Sequence, residues 1–208
     1  MTTTFGSRAR FSTVRLDSKS IQNGVTLAEV LIIVVILGVL GVLGFASLNS
    51  FLQREKANAV ALAYYGWLNE VRQASLRLQG NGQSCTVVVK VGSYSGGQEI
   101  ASVPDLGSSI LDNTECRTVL ADKKQFFLDR GISRGLPVAF AANSTQFTYT
   151  PRTLTTNAQD VVVGLVVNSR SPLRCIKISA VSGFLQIGRN DTSANQADSC
   201  TFSVIRAL

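Results

Sequence analysis

The chain has 208 residues, enough for one ordinary domain with an appendage, and 45% of them are apolar, enough to bury a core. Charged residues make up only 16% and mean hydropathy is +0.22, an unusual balance for a wholly soluble protein. There is no histidine, which excludes every Ser-His-Asp or Cys-His relay and every histidine-ligated metal site. Twenty basic against thirteen acidic residues leave +7, a charge that permits a polyanionic partner without requiring one.

Arg8, Arg10, Arg15 and Lys19 against Asp17 give the first 24 residues a net charge of +3. From Val30 to Ala46 every residue is then apolar or glycine, and no charge falls between Glu29 and Arg54. As a helix, those 24 uncharged positions would span roughly 30 Å of hydrocarbon. The basic flank predicts that the N-terminus stays in the cytoplasm while the bulk of the chain is exported. A cleaved signal peptide and a plain signal anchor are the simple alternatives. The apolar run exceeds the core of a signal peptide, which is about 7–15 residues, and no small-x-small site follows it directly. An anchor must still account for Glu29, since a carboxylate inside a membrane helix costs about 2.5–3.5 kcal/mol and needs a partner.

Gly24-Val25-Thr26-Leu27-Ala28-Glu29-Val30-Leu31 resembles the class III prepilin signal of type IV pilins and type II secretion pseudopilins. The resemblance implies cleavage after Gly24 by a prepilin peptidase and methylation of the new terminus at Val25. It also implies that Glu29, as fifth mature residue, pairs with the terminal amine of a neighbouring subunit. The pairing is physically sensible, because an amine and a carboxylate neutralise each other where neither could stay charged alone. Two positions depart from the family: Val25 stands where phenylalanine is usual, and Ala46 where a proline is frequent. Gly38, Gly41 and Gly44 each weaken a helix by up to about 1 kcal/mol relative to alanine. They serve either to let the helix stretch during assembly or to let helices pack closely.

Beyond the uncharged run, Ala57, Val60, Ala61, Tyr64, Trp67, Leu68, Val71, Ala74 and Leu78 recur at steps of three and four. The spacing predicts one helix over 25–79, roughly 80 Å long, stopped by Gly80-Asn81-Gly82. β-Branched segments then predict strands at 85–91, 146–150, 161–167, 174–179, 184–187 and 201–205, paired as antiparallel hairpins. The Gly- and Ser-rich stretch 92–113 reads as a surface excursion. The expected fold is therefore α+β: a long N-terminal helix, membrane-spanning then amphipathic, packed on a C-terminal antiparallel β-sheet head. Its expected divisions are a cytoplasmic leader over 1–24, an assembly helix over 25–52, an amphipathic helix over 53–79 and an exported head over 80–208. This order is similar to that of the H-type minor pseudopilin and FimT-like minor pilin family.

Cys85, Cys116, Cys175 and Cys200 contain no C-x-x-C, which argues against zinc or a thioredoxin-like motif, and export favours disulfides. Of three connectivities, Cys85–Cys116 with Cys175–Cys200 closes the shorter loops. Gly131-Ile-Ser133-Arg-Gly135 matches the nucleophile-elbow pattern but has no histidine to take the proton. No catalytic residue, metal site or cofactor is expected. Residues 130–208 hold eight basic against three acidic groups. FimT-like minor pilins are implicated in DNA capture through basic residues near the C-terminus. The resemblance makes Arg170, Arg174, Lys177, Arg189 and Arg206 the candidate contacts, with a merely solvated face as the alternative. The sequence thus points to a filament subunit at the bacterial inner membrane, single-pass with its head outside. Its expected partners are other pilin or pseudopilin subunits, the prepilin peptidase and the membrane, with DNA as a further candidate.

Overall fold

The computed structural model describes residues 26–78, 83–105, 113–133, 135–152, 155–169, 172–192 and 200–202. Helix α1 runs from Leu27 to Arg77, within two residues of the expected span at each end. No proline interrupts it, Glu29 lies in its first turn, and Arg77 in its last turn complements the negative end of the helix dipole. The chain divides into two compact units, 1–44 and 45–208.

In the first unit the described side chains of α1 are all exposed, Leu31, Ile33 and Leu37 by 59, 52 and 62%. Among the described residues no helix is long and apolar enough to cross a membrane. Described side chains of the uncharged stretch stop at position 41 and resume at 48, so the span expected over 25–52 falls partly outside them. The leader expected over 1–24 lies wholly outside the described residues.

In the second unit α1 turns amphipathic, and every apolar position that the spacing picks out, from Ala57 to Leu78, is buried. The strands that receive it form two antiparallel sheets. One has four strands in the order β4-β3-β1-β6, from Gln125–Phe127, Glu99–Ser102, Cys85–Val89 and Gln146–Tyr149. The other has six. Its order is β10-β9-β8-β7-β5-β2, from Thr201–Phe202, Leu185–Asn190, Leu173–Ile178, Val161–Val167, Val138–Ala142 and Gly92–Tyr94. Of two short helices, α2 over Thr114–Leu120 falls between β3 and β4 of the first sheet, and α3 over Arg130–Ser133 leads from β4 to β5 of the second.

Over its described residues, 92–105 and 113, the stretch 92–113 is not a surface excursion. It contains β2 and β3, and Ile100, Ala101 and Val103 are fully buried. β4 and β5 likewise had no sequence signal of their own. These strands are three to five residues long, too short for an alternation to declare itself, and only pairing with β1, β3 and β7 defines them.

One core joins α1 to both sheets. Tyr64 lies at its centre, with ring centroids 5.9 Å from Trp67, 5.2 Å from Phe126 on β4 and 6.0 Å from Phe140 on β5. Trp67 donates its indole N–H to the Lys123 carbonyl at 2.7 Å, so its polar atom is satisfied while the ring is buried. Strand β7 is buried at all seven positions because both of its faces are covered. Val161, Val163, Leu165 and Val167 face the main core. Val162 and Val166 join Leu173 and Cys175 in a second cluster, closed by Cys200 and Phe202.

Both expected disulfides, Cys85–Cys116 and Cys175–Cys200, are present. Beside the first, the buried Asn113 acts as a surrogate strand. Its Oδ1 accepts the Thr86 N–H at 2.8 Å, while its Nδ2 donates to the carbonyls of Thr86 at 3.1 Å and Pro104 at 2.9 Å. The second disulfide fastens β10, whose Phe202 lies so close over Gly188 that a Cβ there would meet the ring at 2.6 Å. Only glycine lets this edge strand lie down.

Candidate functional site

The first candidate is the start of α1. Gly24 and Val25 lie outside the described residues. Thr26 and Glu29 form a reciprocal cap: the Thr26 N–H donates to Glu29 Oε2 at 2.9 Å, and the Glu29 N–H donates to Thr26 Oγ1 at 3.3 Å. The Thr26 hydroxyl also donates to Oε2, at 3.0 Å. Two backbone donors that every helix start leaves orphaned are thereby satisfied within the chain. Both threonine donors use the same oxygen, so among the described residues Oε1 is left for a further donor. The sequence reading singled out Glu29 but not the capping role of Thr26, although Thr-x-x-Glu ahead of an apolar run is the signal for it.

The second candidate is the basic set. Arg170 and Arg206 lie outside the described residues. Arg174 does not present a surface guanidinium. It is only 7% exposed, donates from Nε to Asn58 Oδ1 at 2.6 Å, and pairs through Nη1 with Asp191 at 3.0 Å. The expectation that it contacts DNA is therefore corrected: β8 faces this residue toward α1, and its charge is committed inside the fold. Lys177 is half-buried, pairs with Asp160 at 3.0 Å and lies over the Phe202 ring at 5.5 Å. Arg189 on β9 is exposed. Described members of the set thus do not form one solvent-facing basic surface.

Arg174 and Arg189 do border an open groove of about 810 Å³ between residues 55–62 of α1 and the β8–β9–β10 edge. Ala61, Leu62, Ile187 and Phe202 give it apolar walls, and Glu55, Asn58, Arg174 and Arg189 its polar end. Arg174 and Arg189 stand directly opposite each other on β8 and β9. Like charges in that position repel, and Asp191 offsets this. The Asp191 carboxyl is held below its ordinary range by the Arg174 hydrogen bond first, then by the charges of Arg174, Arg189 and Arg54. The Asp160 carboxyl is likewise held low, chiefly by accepting the Ala180 N–H, and by Lys177. Sequence reading missed Asn58 as a groove member and Asp191 as the partner of Arg174, because residues 116 positions apart (Asn58 and Arg174) meet only through the fold.

The elbow-like Gly131-Ile132-Ser133 segment belongs to the four-residue α3, with the Gly131 N–H capped by Asp129 Oδ1 at 2.6 Å. It is a capped turn rather than a strand-to-helix elbow. Burial pushes the phenols of Tyr64 and Tyr149 well above their ordinary range, so neither serves as an acid or base near neutrality. Among the described residues no group of three or more Cys, Asp or Glu side chains gathers as a metal site would require.

No protein-family model matches the chain, and no curated protein matches it. Among solved structures it is similar to the type IV minor pilin FimU of Pseudomonas aeruginosa strain PAO1, at a TM-score of 0.47 and 13% identity. The likeness covers 73% of this chain and 96% of that one.

Proposed function

We propose that the chain is a subunit of a helical filament of the type IV pilin kind. Within that class we read it as a minor pilin or pseudopilin, inserted in the inner membrane as a precursor and trimmed after Gly24. What carries the reading is Glu29: it stands at the entrance of 24 uncharged positions, five residues beyond Gly24, and caps its own helix through one oxygen. That leaves the other oxygen for the terminal amine of a second subunit, so one carboxylate both starts the helix and recruits its neighbour. Charge neutralisation in hydrocarbon then favours docking in a single axial register. Residues 30–52 would hold subunits together, and the head would face outward without turning over a substrate. Pilus and secretion pseudopilus differ in cargo rather than in this chemistry. A DNA-capturing role would have to rest on Arg189 and on residues outside the described set.

Co-expression of the full chain with a prepilin peptidase tests the reading. Mass spectrometry is expected to find the chain 24 residues shorter, with a methylated Val25, and Gly24→Arg is expected to block the cut. Glu29→Leu is expected to be processed normally yet excluded from sheared filaments. A chain that keeps its initiator Met, or a Glu29→Leu chain that still enters filaments, would overturn the proposal.

A further inference from the structure

Among the described residues β9 pairs with β8 along its whole length, Leu185–Asn190, but with β10 only at Gly188 and Arg189. The outer edge of Leu185, Gln186 and Ile187 therefore has no strand partner there. Such an edge presents unpaired N–H and C=O groups, a template for one more extended segment. It also forms one bank of the groove, which Ile187 lines opposite Leu62 of α1.

Helix α1 runs alongside that edge. At one end Asn58 holds Arg174, which stands opposite Arg189, and at the other the Arg72 guanidinium lies 4.7 Å from the Phe184 ring. Two strand residues advance about 6–7 Å and four helix residues about 6 Å, so Leu62 comes level with Ile187 and Gly66 with Leu185. Leu62 is 59% exposed, and a Cβ at Gly66 would meet nothing within 4 Å. Both banks are thus uncovered along the same length.

Glu55 and Arg189 bring opposite charges to the polar end, and Asp191 takes that of Arg174, so the groove favours neither an anion nor a cation. An uncharged, apolar, extended segment suits it. Ser203-Val204-Ile205 follows β10 directly, carries no charge and is β-branched at two of three positions. Residues 203–208 lie outside the described residues. Because Cys175–Cys200 fastens β10 beside the groove, docking of this segment is intramolecular. It acts at an effective concentration of millimolar order, an advantage no free partner has.

We propose that residues 203–205 continue β10 along the bare edge of β9 and close the groove. The register that sets Thr201 opposite Arg189 and Phe202 opposite Gly188 brings Ser203 to Ile187, Val204 to Gln186 and Ile205 to Leu185. Successive strand residues alternate between the two faces, and directly opposed residues share one. Leu185 packs on the main core and Ile187 lines the groove, so Ile205 turns toward Leu62 and Gly66. Val204 turns to the other face, in the row of Gln186 and Lys177. Every residue involved belongs to the second unit, so the proposal is independent of the filament reading.

The test is amide hydrogen exchange of the full chain in nonionic detergent, read by mass spectrometry on peptides covering 184–190 and 203–208. Ile205→Asp is expected to speed exchange in both about tenfold to a hundredfold, the weight of one buried isoleucine side chain. Val204→Asp is expected to stay within about twofold of the parent, because its side chain faces away from the groove. A chain ended after Phe202 is expected to match Ile205→Asp over 185–187 while β7 and β8 stay protected, which separates loss of the strap from loss of the fold. Parent exchange over 203–205 as fast as in an unfolded segment would overturn the proposal. So would equal effects of the two aspartate variants, or a shortened chain whose β9 edge stays as protected as the parent's. Protection that falls when the protein is diluted would also overturn it, by assigning the groove to a second copy.

Discussion

Two stretches of the same helix differ in what they are built to touch. Over 57–78, α1 carries apolar side chains at helical spacing on one face, and these fill the core between two sheets. Over 30–41 it is apolar or glycine all round, and each described side chain is exposed. An amphipathic helix finds its partner within its own chain, whereas one that is apolar on every side demands lipid or other helices. The boundary is written in the charges, since Arg54, Glu55 and Lys56 precede the first fully buried residue, Ala57.

The sharpest way to break that contrast is to shorten one side chain in each stretch of the full chain in detergent. Tyr64→Ala removes a fully buried ring that touches Trp67, Phe126 and Phe140, and is expected to cost about 3–5 kcal/mol. Leu37→Ala is expected to stay within about 0.5 kcal/mol, because its side chain is 62% exposed. Denaturant unfolding followed by the emission of Trp67, the sole tryptophan, reads both. A Leu37 variant as costly as the Tyr64 variant would mean that the first stretch packs on its own head.

The two disulfides sharpen the comparison within the head. They close loops of 31 and 25 residues, so loop-closure entropy assigns both about 3–4 kcal/mol. Cys85–Cys116 lies in the main core beside Asn113, where the Thr86 backbone pairs with a side chain. Replacing both of its cysteines by alanine is expected to cost that full amount and to lower the unfolding midpoint of the whole head. Among the described residues Cys175–Cys200 fastens only the two-residue β10. Its removal is expected to cost less, and to raise amide exchange in β9 and β10 while β1 and β6 stay protected. Equal losses of midpoint would show that β10 unfolds together with the core.

How much of this was legible beforehand follows the same divide. β7 could be read residue for residue, because seven consecutive apolar and β-branched positions admit few other structures. The buried face of α1 was equally plain from its period. β3 was not, because Glu99-Ile-Ala-Ser is too short to show alternation and becomes a strand only through β1 and β4. At the candidate site Glu29 was conspicuous by its isolation. Arg174 was misread for the opposite reason: among several arginines, nothing local shows which one the fold will turn inward to Asn58 and Asp191. Sequence displays a charge, whereas only tertiary structure displays its partner.

The smallest expected effect separates those two kinds of charge. Asp160 and Asp191 both titrate below the ordinary aspartate value in the fold, while in the unfolded chain each returns to about 3.9. Each therefore stabilises fully above about pH 4–5, and its contribution fades as pH falls toward the lower folded value. Their side chains are 40% and 42% exposed, so solvent screens both pairs and each is worth less than about 1 kcal/mol. The partners differ, since the Lys177 side chain is 28% exposed and that of Arg174 only 8%. Asp160→Asn is expected to flatten the loss of stability between pH 5 and pH 3, with an effect that vanishes in about 1 M salt. Asp191→Asn leaves a buried guanidinium without its counter-charge, so its cost is expected to be larger and to persist in salt. Denaturant unfolding at the two pH values, with and without salt, reads the difference. If salt erases the cost of Asp191→Asn as completely as that of Asp160→Asn, then water reaches Arg174 and the polar end of the groove is not preorganised.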